Sequence, residues 1–200
     1  MCNDHEVGMS TDEIRGIGME NVIREIITGI GDCPSRSGVI ETPARVVKSW
    51  KHLFSGYNTR VSDVFKVFDD SGNYDQMIVL KDIEFYSTCE HHMLPFYGKA
   101  HVAYIPGNSG KVVGISKLAR VLEVYSRRLQ IQERIGQQVT NALDEYLDTA
   151  GSACIINARH LCMMARGVEK QNSTMVTSSL TGVFREQAVK AELMSFIGGS

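Results

Sequence analysis

The sequence predicts an α+β fold, with antiparallel strand pairs forming a sheet and helices segregated to one of its faces. Three observations lead there. Residues 116–129 and 131–147 have helical spacing, and in the second stretch Ile135, Val139, Leu143 and Leu147 fall at four-residue intervals. Residues 77–88 and 97–105 read as a pair of strands before these helices, rich in β-branched and aromatic side chains, and residues 153–164 and 173–184 read as a second pair after them. The order is therefore helices, two strands, two helices, two strands, with a last helix over 186–197.

Residues 1–9 read as a loose tail. Ser10 and Glu13 have capping-box spacing, and Ile14, Ile17, Ile23, Ile26, Ile27 and Ile30 supply the apolar face of a helix that Gly29 and Gly31 end. Residues 31–38, with Pro34, Ser35 and Ser37, form a loop. A second helix opens with Thr42 as N-cap and Pro43 at the first helical position, where its missing N–H costs nothing. Val46, Val47, Trp50, Leu53 and Phe54 line one side of it, and Gly56 stops it. Residues 1–70 are thus expected as an N-terminal helical module and residues 71–200 as the sheet-bearing domain. Residues 106–110 turn the chain between the first strand pair and the helices that follow. No internal repeat and no low-complexity tract is present.

The chain has 200 residues, 43% hydrophobic and 22% charged, and can bury a core without disulfides. A net charge of −2 weighs against sequence-independent nucleic-acid binding, which wants a basic surplus. The five cysteines, Cys2, Cys33, Cys89, Cys154 and Cys162, have no framework spacing. The N-terminus lacks a signal-peptide pattern, and no apolar run is long enough to span a membrane. These features predict a soluble cytoplasmic protein with reduced thiols, which are then available to bind metal.

Two short segments carry metal chemistry. The first is Cys89-Glu90-His91-His92 and the second is His160-Leu161-Cys162. In a Cys-x-x-His spacing a turn can bring a thiolate and an imidazole to one ion, and such a mixed S/N set suits zinc. His160 and Cys162, two apart on an expected strand, point to the same face. Cys154 shares that face, but its eight-residue separation from Cys162 is about 26 Å along a strand at ~3.3 Å per residue, out of reach of the same ion. Cys89, His92 and Cys162 plus an open position make the catalytic pattern, whereas four protein ligands would make the structural one. His91 and His160 stand beside the site, where acid–base groups are wanted.

A second constellation suits an anion. Ser116 is placed at a helix N-cap, where free N–H groups and the helix dipole favour negative charge. Lys117 and Arg120 lie three apart on one side of that helix, and Arg166 closely follows the second metal segment. Arg45 and Lys48 form another basic pair. Singly these are ordinary solvated charges; beside a zinc site they point to a phosphate-bearing substrate. There is no P-loop and no G-x-G-x-x-G. Between the two central helices, Glu133 with Gln132 can read the donor edge of a purine, or Glu133 can simply answer the helix dipole.

At these residues the sequence resembles GTP cyclohydrolase I. The matching runs are Ser87-Thr88-Cys89-Glu90-His91-His92, Gly114-Ile115-Ser116-Lys117-Leu118-Ala119-Arg120, Gln130-Ile131-Gln132-Glu133-Arg134, His160-Leu161-Cys162 with Ala165-Arg166-Gly167, and Thr42-Pro43-Ala44-Arg45. The resemblance extends from about residue 41 to the end. Met164 stands where many bacterial members carry Lys, and the run from Cys162 to Gly167 is closer to animal-type sequences. The resemblance implies the tunnelling fold, an antiparallel sheet with two helices on one face, and subunits that assemble into a homodecamer with active sites between them. It implies Zn2+ on Cys89, His92 and Cys162, proton transfer by His91 and His160, and guanine recognition by Glu133 with Gln132. Ser116, Lys117, Arg120 and Arg166 would hold the triphosphate, with Arg45 and Lys48 as further contacts. The implied reaction opens the imidazole ring of GTP by hydrolysis, releases formate and recloses to 7,8-dihydroneopterin triphosphate. The implied partners are GTP and copies of the chain itself, with a regulatory protein left open. The competing reading is a structural zinc module that serves oligomerisation without catalysis.

Overall fold

The computed structural model describes residues 18–65, 67–69 and 74–198. The expected tail, the Ser10–Glu13 capping pair, Ile14 and Ile17 lie outside these residues. Helix α1 (Met19–Gly29) follows Gly18, which adopts a left-handed conformation with φ 64°. Its Ile23 and Ile27 pack with Val39, Val46 and Trp50 in a small core shared with α2 (Thr42–Leu53). Ile26 and Ile30, expected on the same buried face, are exposed. Glu41 takes the N-cap of α2, so Thr42 and Pro43 are its first two residues and the helix starts one position earlier than its sequence signals. Gly56, after the helix, does more than stop it. A Cβ there would lie 2.1 Å from the Val124 carbonyl oxygen, and its N–H donates to the Arg127 carbonyl at 3.1 Å. This contact ties the N-terminal helices to the end of α4 (Ile115–Ser126), whose range stops three residues short of the predicted one because residues 129 and 130 pair as a strand.

The short α3 (Val61–Val64) leads to β1 (Val67–Asp69), which pairs with β4 (Lys111–Val113) in a two-stranded sheet that the sequence did not announce. The main sheet has the order β5-β2-β3-β6-β7. It is built from β5 (Leu129–Gln130), β2 (Ile78–Cys89), β3 (Pro95–Pro106), β6 (Thr149–His160) and β7 (Met175–Leu180). All its pairings are antiparallel except the short parallel contact of β5 with β2. Strand β6 begins earlier than expected and ends at His160. There the chain enters a helical turn, α6 (Leu161–Met164), so Cys162 is not on a strand. The last expected strand is likewise shorter, because residues 182–185 coil into a 3-10 turn before α7 (Gln187–Ile197).

The main core lies between the sheet and two helices on one face. Phe85, Phe96, Ala100, Val102, Tyr104, Cys154 and Ile156 meet Leu118, Val121 and Leu122 of α4. They also meet Ile135, Val139, Leu143 and Leu147 of α5 (Gln132–Leu147), the row that the four-residue spacing marked out. A smaller core forms on the opposite face, where Ala103, Ala153 and Ile155 are covered by Phe184 and by Leu193 of α7. The tunnelling-fold layout of antiparallel sheet and paired helices is thus joined by a third helix on the other side. Among the described residues, no helix is long and apolar enough to cross a membrane.

The core makes a direct prediction. Leu143 is fully buried. Leu143→Ala should cost roughly 2–5 kcal/mol, read as a lower denaturant midpoint with an unchanged slope.

Candidate metal and acid–base site

Strand β2 delivers Cys89 to the mouth of the main core, where it is buried. The chain then reverses within a few residues. The Cys89 N–H donates to the Leu94 carbonyl at 2.8 Å, and the Met93 N–H donates back to the Cys89 carbonyl at 2.8 Å. Met93 takes φ 52° to close this turn. The reversal folds His92 back over Cys89, and His92 Nδ1 lies 3.6 Å from Cys89 Sγ. Cys162 comes from across β3, on the first turn after β6. The strand alternation expected of His160 and Cys162 does not hold; the helical turn, closed by the Ala165 N–H on the Leu161 carbonyl at 2.8 Å, brings Cys162 in.

The ligand atoms of Cys89, His92 and Cys162 all lie within 4.8 Å of one another. A tetrahedral ion with Zn–S of ~2.3 Å and Zn–N of ~2.0–2.1 Å would hold a sulfur and a nitrogen about 3.6 Å apart. The Cys89–His92 distance meets that requirement. Both cysteines are free thiols. Burial pushes the Cys162 thiol up, and the facing Cys89 thiol pushes the same way. A divalent cation between them would offset both effects, so the donor set fits a metal. Arg166 reaches the same place: its Nη1 lies 3.4 Å from His92 Nε2 and 3.5 Å from the Cys162 carbonyl oxygen.

The two remaining histidines sit in different environments. His91 is exposed, with Nε2 3.7 Å from the Glu90 carboxylate. Glu90 is in turn gripped by Arg134, which donates from Nη2 at 3.1 Å and from Nη1 to the other oxygen. That guanidinium holds the Glu90 carboxyl below the usual range. His160 is half-buried and stacked on Phe96, with ring centroids 4.6 Å apart and planes within 3°. Its Nε2 is 2.8 Å from Gln132 Oε1. Burial lowers its pKa and so favours the neutral ring, and the Glu133 charge partly opposes this.

The anion residues are spread more widely. Gly114, not Ser116, is the N-cap of α4, and Ser116 is the second helical residue. Lys117 is half-buried. Arg120 is exposed and lines a pocket of about 340 Å³ with Ser55, Thr59, Asp63 and Glu123. Arg45 pairs with Glu41 on the open side of α2, and Lys48 is exposed on the same helix. Among the described residues, none of Ser116, Lys117, Arg120, Arg45 and Lys48 bonds to the metal group. Glu133 is exposed in the first turn of α5, beside a cleft of about 350 Å³ lined with Gly136, Gln137, Thr177, Ser178 and Ser179. Its expected companion, Gln132, points elsewhere. The Gln132 amide is 1% exposed, and its NH2 donates at 3.0 Å to the Ile156 and Met175 carbonyls and to Thr177 Oγ1. Its NH2 is engaged inside the fold and its Oε1 faces His160 Nε2 at 2.8 Å, so both ends of the amide already have partners within the chain. Sequence spacing missed Phe96, Glu90 and Arg134 as supports of the site. Glu90 and Arg134 are 44 residues apart, and neither periodicity nor motif links them.

Comparison with known proteins places these observations in a family. The chain matches the protein family described as GTP cyclohydrolase I over residues 19–198. It is similar to "GTP cyclohydrolase 1" of Wolinella succinogenes, 50% identical over 92% of this chain and 98% of that protein. It is similar to the protein of the same name from Thermobifida fusca, at 45% identity over 98% and 95% of the two chains. A third, from Leptospira biflexa, is 48% identical over 90% of this chain and 97% of the other.

The metal group predicts its own behaviour in binding assays. Cys89→Ala, His92→Ala and Cys162→Ala should each weaken divalent-ion binding by more than the ~10–100-fold typical of losing an outer partner. Equilibrium dialysis against Zn2+ would measure it, and His91→Ala should leave the stoichiometry unchanged.

Proposed function

The chain belongs to the GTP cyclohydrolase I family, and from that premise we propose that it is a zinc-dependent enzyme that converts GTP to formate and 7,8-dihydroneopterin triphosphate. The observation that carries this reading is the Cys89–His92–Cys162 donor group, whose three possible ligands have His91 and His160 close to them in the chain. Zinc, when bound there, supplies a Lewis acid that makes water a competent nucleophile near neutral pH.

The protein's own residues do the rest. Cys89, His92 and Cys162 would hold the ion beyond the end of β2, where Cys89 is buried against the main core. His91 or His160 gives a proton to N7 of guanine as C8 is hydrated, which makes C8 electrophilic and lets the imidazole ring open. A second hydration releases C8 as formate. The ribose then rearranges and the ring recloses, steps that need protons moved rather than further hydrolysis and so give two histidines separate work. Glu133 faces the guanine from its cleft. Arg166, beside His92, is the cation best placed to meet substrate charge near the metal; Ser116, Lys117 and Arg120 hold the triphosphate, with Arg45 and Lys48 further out.

That none of those last residues bonds to the metal group is in keeping with a site completed by another copy of the chain. Among the described residues no strand pairs with the outer edge of β7 or with residues 78–87 of β2 on the side away from β3, and open edges favour pairing with a neighbour. On that basis we assign the chain to a homo-oligomer; that it is a decamer rests on the family resemblance alone.

Incubation of the zinc-loaded protein with GTP should yield formate and a pterin that fluoresces after oxidation, and a chelator should abolish both. Stoichiometric zinc without turnover would instead make the site structural. His91→Ala and His160→Ala should retain zinc yet lower turnover by about 10²–10⁴-fold, measured as formate release.

A further inference from the structure

We infer that Gln132 is a positioning residue for His160, one that decides which ring nitrogen carries the hydrogen. The inference rests on the acid–base role given to His160 above and goes one layer behind it.

The orientation of the Gln132 amide is dictated by its neighbours. One end of it faces the Ile156 and Met175 carbonyl oxygens and Thr177 Oγ1, each at 3.0 Å. Carbonyl oxygens only accept, so this end must be the NH2 group; the flipped amide would set oxygen against two oxygens. The amide oxygen is thereby turned to His160 Nε2 at 2.8 Å. An amide oxygen also only accepts. Nε2 must therefore carry the hydrogen, and in the neutral imidazole Nδ1 holds the lone pair. Among the described residues, Nδ1 makes no hydrogen bond.

The ring has little freedom to escape this assignment. Phe96, fully buried, lies flat against it, so the plane of the imidazole is set from below while its Nε2 edge is held by Gln132. Gln132 is itself nine-tenths buried and more, anchored to both β6 and β7 at the first turn of α5. Thr177, one of its anchors, also lines the Glu133 cleft. The same amide thus sets His160 and the cleft in one frame. Proton exchange between His160 and a substrate passes through Nδ1, with Nε2 committed to the protein.

A neutron structure of the zinc-loaded wild-type protein tests this directly. Deuterium on His160 Nε2 is the expected result, and its absence from Nε2 overturns the inference. This measurement needs no turnover, so it stands apart from failure of the wild-type protein to process GTP, which would sink the functional reading instead. In solution, Gln132→Met keeps the volume and removes the acceptor. It should lower kcat roughly 10- to 100-fold, with zinc content intact and KM for GTP within about twofold. Gln132→Glu, whose protonated carboxyl retains an acceptor and a donor, should recover most of that loss. An unchanged kcat with a raised KM in Gln132→Met would make Gln132 a substrate contact and overturn its positioning role. If Gln132→Met fails to fold, the neutron result alone decides.

Discussion

The register of β3 between β2 and β6 is the constraint on which the site depends. Ser87 pairs with Phe96, and Phe96 pairs with His160, so three strands deliver their site residues to one end of the sheet at one level. Cys89 lies two residues beyond Ser87, and Cys162 two residues beyond His160. A slip of one residue would turn every side chain of a strand to the opposite face. Phe96 would then leave His160, and Cys89 would leave the core. The buried row of Phe96, Ala100, Val102 and Tyr104 holds that register, because these side chains pack in the main core with α4 and α5. The hydrophobic core and the chemistry are therefore not separate features of the fold.

Helix α5 is the second element that serves both. Its apolar row, Ile135, Val139, Leu143 and Leu147, packs on the sheet. Its polar edge ties the helix to β6 and β7. Thr140 Oγ1 lies 2.9 Å from Ser179 Oγ, Ser152 Oγ donates to the Thr140 carbonyl at 3.1 Å, and Gln132 donates to two strands. Buried polar groups are costly unless satisfied, and these are satisfied by one another. The N-terminal end of the same helix holds Glu90 through Arg134, so the metal turn, His160 and the Glu133 cleft all refer to one helix end.

Sequence reading found the elements that repeat and the donors that cluster. The four-residue row of α5, the paired strands and the Cys-x-x-His turn are local patterns, and local patterns survive without a fold in hand. It failed where a boundary or a partner depends on distant chain. Residues 161–164 alternate well enough to pass for strand, but the sheet ends at His160 and the backbone turns helical there. Ser116 looked like an N-cap because Ser caps helices, yet Gly114 sits at the bend after β4. Gln132 looked free to read a base because it adjoins Glu133; in the folded chain the two side chains point apart, one into the interior and one to solvent.

The sequence by itself determined the fold class, the Cys/His/Cys group that could hold a metal and the family, because each is written in residue types at short spacings. Only the tertiary structure decided how those donors meet, which amide orients His160, and which carboxylate Arg134 holds. The two hydrogen-bonded pairs join residues 28 and 44 positions apart, and Cys162 meets Cys89 and His92 from farther still along the chain, all through strand register and helix packing. A linear pattern carries no record of them, since the free energy that selects them comes from burying a shared core rather than from any neighbour in sequence.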